Sequence, residues 1–493
     1  MSSVPTTGPR PKLSWSDLAG TRAGIWGLGR EGHANLRKLL ALGVEPVLVD
    51  DRPAGPVGPA DSRRPVLATA DGGLAALQRC DVVVKTPGLS RYRPEVAHLS
   101  AAGIPVVGGL GLWLAEADLR RVLCVTGTKG KSTTSSLTGH LLTGLGYRCM
   151  VGGNIGAAPY DPANAGDFDF WVIEVSSYQA TDLPCSPPVV AVTSLHPDHL
   201  DWHGGVEQYY RDKLSACSQP GAELTVANGD SGLLRAHAGL LGPRIEWVSE
   251  HDDPAADWME PLALPGRHNR RNALIARRCL AALGVPGAAD AAALRAAAAG
   301  YQPLPSRLTP AGTVGGVSFV DDSLSTNVLP TLAALDAFPG RRIALIVGGH
   351  DRGIDYAPLA AGIVAREAPT YVLTLPDSGP RIRTQLEAAT PSTPSAPPAP
   401  PPAPGQRNET GNSVRSNAVK PGFQSVAEAA PAAQTGFAGV TDCPDLAAAV
   451  AAGYRWAQPD GIVLLSPAAP SFGLFKDYRD RAEAFAREVR ALT

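Results

Sequence analysis

The stretch Val122-Leu-Cys-Val-Thr-Gly-Thr-Lys-Gly-Lys-Ser-Thr133 decides how this chain is read. A short apolar strand runs into a glycine-rich turn, and a lysine followed by two hydroxyl residues opens a helix. The backbone N–H groups of such a turn cradle phosphate, and the positive end of the helix dipole favours an anion. Lys131 is placed to reach the β- and γ-phosphates of a nucleotide, and Ser132 or Thr133 to ligate magnesium. Val125 stands where the general phosphate-loop pattern has its first glycine, so the form here is Thr-Gly-Thr-x-Gly-Lys-Ser-Thr. A plain tight turn is the competing reading.

Working outward, apolar runs at 170–173 and 189–193 read as further strands of the same αβα layer. Glu174 closes the first of them, and a carboxylate at the end of a buried strand near a phosphate loop suits a hard cation. Asp198, His199 and Asp201 follow the second. His199 can bind metal or substrate, but too few His or Cys accompany it for a zinc site. Lys213, in Tyr209-Tyr-Arg-Asp-Lys-Leu214, reads on spacing alone as a solvated helix lysine. Asn154, in Gly152-Gly-Asn-Ile-Gly156, lies in a small-residue loop and carries little meaning by itself. No nucleophile triad is visible.

Upstream, runs at 23–26, 46–49, 81–84 and 104–107 alternate with a helical pattern at 34–42, which predicts a Rossmann-like parallel sheet. Gly27-Leu-Gly-Arg-Glu-Gly32 follows its first strand, and Asp50 ends the second. This fits a cradle for a dinucleotide or a nucleotide diphosphate; a chance match is equally compatible with the pattern. Downstream, runs at 317–320, 342–347, 370–373 and 461–465 predict a third sheet. Residues 390–436 interrupt it. Their Pro-, Ala- and Ser-rich composition cannot bury enough apolar surface to offset chain entropy, so a disordered surface insertion is expected there.

The whole chain has 493 residues, enough for about three domains. Its 44 basic and 46 acidic residues nearly balance, so no field of one sign favours nucleic acid or an anionic membrane. Seven scattered cysteines without a CxxC pair fit a reducing cytosol rather than a disulfide framework. The polar, Pro-rich start is no secretory signal, and no apolar run is long enough for a membrane span. A cytoplasmic enzyme is the expectation.

Taken together and in order, these motifs resemble the Mur ligase family, most nearly its MurD branch. The strings that carry the resemblance are TGTKGKST, GGNIG, EVSSYQ, HPDHLDWHG, LPGRHNRRNALIA, LPSR, DDSLSTN, GGHDRG and LSPAAPSFGLFKDY, with the Tyr-x-x-Lys-Leu region between them. The resemblance implies an α/β fold of three domains. Residues 1–115 would form a Rossmann-like domain for the UDP substrate, 116–303 a central phosphate-loop ATPase domain, and 304–493 a Rossmann-like C-terminal domain carrying the insertion. It implies an ATP-dependent ligase that phosphorylates a carboxylate of a UDP-muramoyl precursor of peptidoglycan and passes the acyl group to an amino acid.

The same resemblance assigns roles. Lys131, His199 and Lys213 would be catalytic. Gly127, Thr128, Lys129, Gly130, Lys131, Ser132, Thr133, Asn269, Asn272, Arg307 and Asp322 would bind ATP, the last two clamping it from the third domain. Arg30, Glu31, Asp50, Asp51, Arg52, Gly88 and Asn154 would bind the UDP substrate. Two magnesium ions would be held near Ser132, Glu174, His199 and Lys213, the lysine being carbamylated, which overrides its bland reading. Thr326, Arg352, Ser471 and Phe472 would meet the amino acid.

Departures from the MurD pattern matter. Leu324 replaces a lysine in Asp322-Ser-Leu-Ser-Thr-Asn327, and leucine cannot neutralise a carboxylate. Ser306 stands where histidine is common, Arg352 where lysine is frequent, and Pro470 and Phe472 where D-glutamate enzymes usually differ. These differences resemble a branch that adds L-glutamate to UDP-N-acetylmuramoyl-L-alanine, with a separate epimerase acting afterwards; a D-glutamate enzyme is the alternative. A monomer is expected. Three rival readings compete: a folylpolyglutamate synthase-like ligase, a nucleotide-binding regulator without catalysis, and an NAD-dependent oxidoreductase using Gly27–Gly32. The first is opposed by the glycine-rich segment ahead of the phosphate loop. The second is opposed by the joint presence of Lys131, Glu174, His199 and Lys213, and the third leaves the phosphate loop unexplained.

Overall fold

A computed structural model of the chain describes residues 10–58, 63–254, 256–390 and 436–492. The expected insertion at 390–436 lies almost wholly outside the described residues. The chain forms two compact units, Met1–Thr309 with Asp336–Phe338, and Pro310–Leu335 with Pro339–Thr493. Three sheets run through them.

The first sheet comprises β1 (Ala23–Trp26), β2 (Val47–Asp50), β3 (Leu67–Ala68), β4 (Val82–Lys85) and β5 (Val106–Gly108), in the order β3-β2-β1-β4-β5. The second comprises β6 (Val122–Thr126), β7 (Cys149–Gly153), β8 (Phe170–Glu174), β9 (Val189–Val192), β10 (Leu224–Asn228) and β11 (Ile245–Val248), in the order β11-β10-β9-β6-β8-β7. Every pairing in these two sheets is parallel. The third comprises β12 (Thr309–Val314), β13 (Val317–Asp321), β14 (Ile343–Gly349), β15 (Thr370–Asp377), β16 (Phe437–Asp442) and β17 (Ile462–Leu465), in the order β12-β13-β17-β14-β15-β16.

The interior strands are those with unbroken apolar runs. All of β1, β4, β6 and β14 is buried, as expected where helices cover both faces of a parallel sheet. The helix Lys131–Gly144 and the helix Arg267–Ala282 pack on one face of the second sheet, around Leu137, Leu141, Ile275 and Leu280. The other face shares a core with the first sheet: Ile25, Leu39 and Trp113 lie in one apolar cluster with Val192, Tyr209 and Leu214. The first two sheets therefore belong to a single compact unit although each has its own topology.

Chain reversal places the chemistry. In the first sheet the order switches between β1 and β4, and in the second the strand ends of β8, β6 and β9 lie side by side. Crevices outside the carboxyl ends of such strands are where open α/β sheets bind ligands. The turn Gly27–Gly32 follows β1, the phosphate loop follows β6, Glu174 ends β8 and His196–Asp201 follow β9.

Candidate active site

The loop after β6 depends on two glycines in the left-handed region. Gly127 has φ 131° and Gly130 φ 89°. A Cβ at Gly127 would meet Thr193 Oγ1 at 2.3 Å, and one at Gly130 would meet Asn272 Oδ1 at 2.9 Å, so only hydrogen fits at either position. The loop is tied to the next strand end: Thr193 Oγ1 donates to the Lys129 carbonyl at 2.6 Å, and the Thr128 N–H donates to the Ser194 carbonyl at 2.9 Å. Thr133 lies in the first turn of the helix that follows.

Around this loop the structure gathers the cations. Lys131 Nζ donates to the Thr128 carbonyl at 3.2 Å. Its ammonium is pushed down to about 8, first by loss of solvent; Glu174 opposes the shift, and Lys129 and Arg307 add to it. Lys129 Nζ lies 3.5 Å from Asp198 Oδ2. Arg307, expected on the third domain, lies in the first unit, where its Nη2 donates to Ser132 Oγ at 2.9 Å. Asn269 and Asn272 are buried on the helix behind the loop, and Asn269 Nδ2 donates to the Pro265 carbonyl at 2.8 Å. A cleft of about 620 Å³ opens beside Asn269, between Met259, Leu264 and Arg270.

Lys213 is not the solvated lysine that spacing suggests. It is 2% exposed, donates to the Gly127 carbonyl at 3.1 Å and lies 5.1 Å from the Tyr209 ring. Burial first, and then neighbouring Lys131, hold its ammonium well below the ordinary range. A lysine whose ammonium is disfavoured in this way gives up its proton more readily and is the better nucleophile for it. The tertiary fold also places Tyr209 OH 2.9 Å from Thr128 Oγ1, clamping the helix Val206–Leu214 onto the phosphate loop.

Glu174 is 1% exposed. Its Oε1 accepts from Asn154 Nδ2 at 2.6 Å, while Oε2 is buried with no hydrogen-bond partner among the described residues. A buried carboxylate oxygen left bare is costly unless a cation completes it. Among the described residues no group of three or more His, Cys, Asp or Glu converges as a metal site. His199 has left-handed backbone (φ 52°), and its ring lies 5.0 Å from that of Tyr178. Burial lowers its imidazolium pKa, with Asp198 opposing.

Of the residues expected at the UDP substrate, Arg30, Glu31, Asp50, Asp51, Arg52 and Gly88 fall at the ends of β1, β2 and β4, and Asn154 follows β7. Arg30 Nη2 donates to the Asn154 carbonyl, bridging the first and second sheets. Asp50 accepts from the backbone N–H groups of Leu28 (2.7 Å) and Arg52 (2.9 Å), so it braces the glycine-rich turn. Asp51 is paired with Arg93 at 2.5 Å and accepts from Thr69 Oγ1. Arg52 and Gly88 are exposed. Glu31 accepts from Gln179 Nε2 at 2.9 Å; burial pushes its carboxyl up to about 7 against the pull of Arg30, Gln179 and Lys85.

The second unit holds the remaining residues. Asp322 accepts from Ser325 Oγ and Ser466 Oγ at 2.5 and 2.7 Å, joining the ends of β13 and β17. Thr326, Arg352, Ser471 and Phe472 lie on the loops after β13, β14 and β17, which are neighbours in the sheet. Ser471 is buried, Arg352 is exposed, and Phe472 is 56% exposed. Leu324, where the resemblance led to expect lysine, is half-buried beside them.

One arrangement escaped the sequence reading. Ser177 Oγ, His203 and Asp212 form a buried chain, with His203 Nε2 3.0 Å from Ser177 Oγ and Nδ1 2.6 Å from Asp212 Oδ2. Its members are 26 and 9 residues apart, and no local pattern announces them.

A phosphate loop at strand ends, a half-buried lysine beside a buried one and a bare carboxylate define an α/β enzyme class that uses a nucleoside triphosphate. Comparison with known proteins gives the family. Residues 125–280 match the Mur ligase middle domain and residues 21–108 the MurD-like N-terminal domain of Mur ligases. A UDP-N-acetylmuramoyl-L-alanine–L-glutamate ligase of Micromonospora sp. is 39% identical over 496 residues, covering 96% of this chain and 98% of the relative. One from Xanthomonas euvesicatoria is 36% identical over 508 residues and covers 96% of each. The chain belongs to the Mur ligase family. Its fold is also that of two crystal structures from Thermotoga maritima. UDP-N-acetylmuramate-alanine ligase MurC shows 16% identity and a TM-score of 0.52, covering 96% of this chain and all of the other. MurF ligase in complex with ADP shows 14% identity and a TM-score of 0.51, covering 97% of each.

Proposed function

We propose that this chain is an ATP-dependent ligase that joins L-glutamate to UDP-N-acetylmuramoyl-L-alanine in peptidoglycan precursor synthesis. The observation that carries the reading is the phosphate loop with Lys131 beside a buried Lys213 and a bare Glu174 oxygen. The names of the curated relatives supply the substrate and favour L- over D-glutamate.

The residues divide the work. The loop amides, Lys131 and Arg307 would hold and neutralise the transferring phosphoryl group. Asn269 and Asn272 would border the adenine, and Asp322 would be a further ATP-binding residue. The terminal carboxylate of the muramoyl-alanine would attack the γ-phosphorus, breaking the bond to ADP and leaving an acyl phosphate. The amine of glutamate would then attack the acyl carbon, lose a proton, and expel phosphate from the tetrahedral intermediate. Arg30, Glu31, Asp50, Asp51, Arg52, Gly88 and Asn154 would seat the UDP substrate. Thr326, Arg352, Ser471 and Phe472 would seat glutamate, Arg352 serving one carboxylate where Leu324 cannot.

Lys213, whose ammonium is disfavoured by burial and by neighbouring Lys131, is suited to add carbon dioxide and become a carbamate. Ser132, Glu174, His199 and that carbamate would hold two magnesium ions, whose charge would offset the charge developing on the phosphate oxygens. Among the described residues no helix is long and apolar enough to cross a membrane. A cytoplasmic monomer, whose product passes to a separate epimerase, completes the reading.

The test is purified protein with ATP, magnesium and UDP-N-acetylmuramoyl-L-alanine, assayed separately with each glutamate isomer. ADP release coupled to amide formation with L-glutamate is expected. Turnover with the D-isomer alone would reverse the isomer assignment, and none with either would refute the ligase reading.

A further inference from the structure

The segment Gly88–Arg93 of the first sheet and the helix carrying Lys213 are joined by a continuous set of hydrogen bonds that the reaction outlined above does not use. Tyr92 OH donates to Asp212 Oδ1 at 2.6 Å, and Gln208 Nε2 donates to the same oxygen at 2.9 Å. The other oxygen of Asp212 meets His203 Nδ1 at 2.6 Å, and His203 Nε2 meets Ser177 Oγ at 3.0 Å. Ser177, His203 and Asp212 are each at least nine-tenths buried. Two further bonds run alongside: Trp202 Nε1 donates to the Gly88 carbonyl at 3.2 Å, and Ser90 Oγ donates to the Trp202 carbonyl at 3.1 Å.

The spacing is that of a serine–histidine–carboxylate triad, but its surroundings are not those of a hydrolase. His203 is enclosed by the rings of Tyr178, Trp202 and Tyr209, and Ser177 is 2% exposed. No acyl group could reach the hydroxyl. The chain instead fixes a covalent neighbour: Asp212 precedes Lys213 on the last turn of its helix. A buried carboxylate held by three donors has one orientation, and a one-residue step along the helix carries that constraint to the lysine.

We propose that Tyr92, Asp212, His203 and Ser177 are positioning residues that couple occupation of the Gly88–Arg93 segment by the UDP substrate to carbamylation of Lys213. This rests on the reading of Lys213 as the carbamylated lysine. The seated substrate holds Tyr92 on Asp212, Asp212 holds the Lys213 helix in register with Gly127, and the lysine amine stays aimed into the site. There its nitrogen bonds to the carbon of carbon dioxide and releases one proton. By linkage, the carbamate must in turn tighten binding of the UDP substrate by the same factor.

The test uses the full-length enzyme, ¹³C-bicarbonate and UDP-N-acetylmuramoyl-L-alanine. Carbamate at Lys213 is read by ¹³C NMR with and without the nucleotide substrate, in wild type, Tyr92→Phe and Asp212→Asn. In the wild type the substrate should lower the bicarbonate needed for half-maximal carbamate by about fivefold or more. Tyr92→Phe keeps the ring against Trp202 and removes one hydrogen bond; it should bring that ratio to about one with an unchanged melting temperature. Asp212→Asn should weaken the carbamate signal both with and without substrate. An unchanged ratio in Tyr92→Phe, with the wild type carbamylated and active, would overturn the coupling alone. An active wild type with no carbamate would overturn it together with the reading of Lys213.

Discussion

Asn154 Nδ2 donates to Glu174 Oε1 at 2.6 Å and leaves Glu174 Oε2 buried and bare. The amide thus aims the carboxylate, with one oxygen satisfied by protein and the other left without a hydrogen-bond partner among the described residues. Glu174→Gln would keep the Asn154 contact and remove the charge. The magnesium concentration giving half-maximal turnover should rise at least about tenfold, with the KM for glutamate little changed. A magnesium titration with no shift would show that this oxygen does not meet metal.

Lys131 is expected to trade stability for function. In the free protein it is a cation poorly supplied with water, so Lys131→Ala should melt no lower than wild type at pH 7. The same variant should lose about 10²–10³-fold in kcat, the loss expected of one group that stabilises transferring charge. Near-wild-type turnover would remove the lysine from phosphoryl transfer.

Glu31 gives a pH dependence with a definite sign. Its carboxyl, pushed up from 4.5 to about 7 by burial, binds a proton more tightly in the folded chain than in the unfolded one. Folding stability from this group is therefore full below about 4.5, falls as pH rises, and is lost above about 7. Glu31→Gln should remove that slope. The gain in melting temperature over wild type should be small at pH 5 and largest at pH 8, measured across a buffer series. A gain that shrinks with rising pH would contradict the assignment.

Lys85 and Asp182 form a buried pair at 2.5 Å between the first two sheets, and Arg91 reaches the other carboxylate oxygen at 2.8 Å. Lys85→Met would leave Asp182 only half compensated. Unfolding in denaturant should show a loss of about 3 kcal/mol. The double variant Lys85→Met with Asp182→Leu should recover part of it, because no uncompensated charge remains. A loss below about 0.5 kcal/mol in the single variant would mean that solvent relieves the pair.

The strands legible in the sequence were those with unbroken apolar runs, because such runs need no partner to be recognised. The strands β1, β6 and β14 fall within a residue or two of the runs that announce them. The edge and near-edge strands β3, β7, β10, β11, β12 and β16 were missed. They are short, or carry Gly and polar residues, and exist because a neighbour supplies their hydrogen bonds.

By itself the sequence determined the phosphate loop, since its geometry is local: two glycines, a lysine and a helix start within eight residues fix the backbone wherever they occur. It also determined the alternation of strands and helices, and through the ordered motifs the family. Only tertiary structure decided what Lys213, Glu174 and Asp212 are. Burial encloses a lysine that spacing reads as solvated and lowers its pKa, leaves one carboxylate oxygen without a hydrogen-bond partner among the described residues, and brings Tyr92, Gln208 and His203 onto a single aspartate. Desolvation and long-range hydrogen bonding are properties of packing, and no window of sequence contains them.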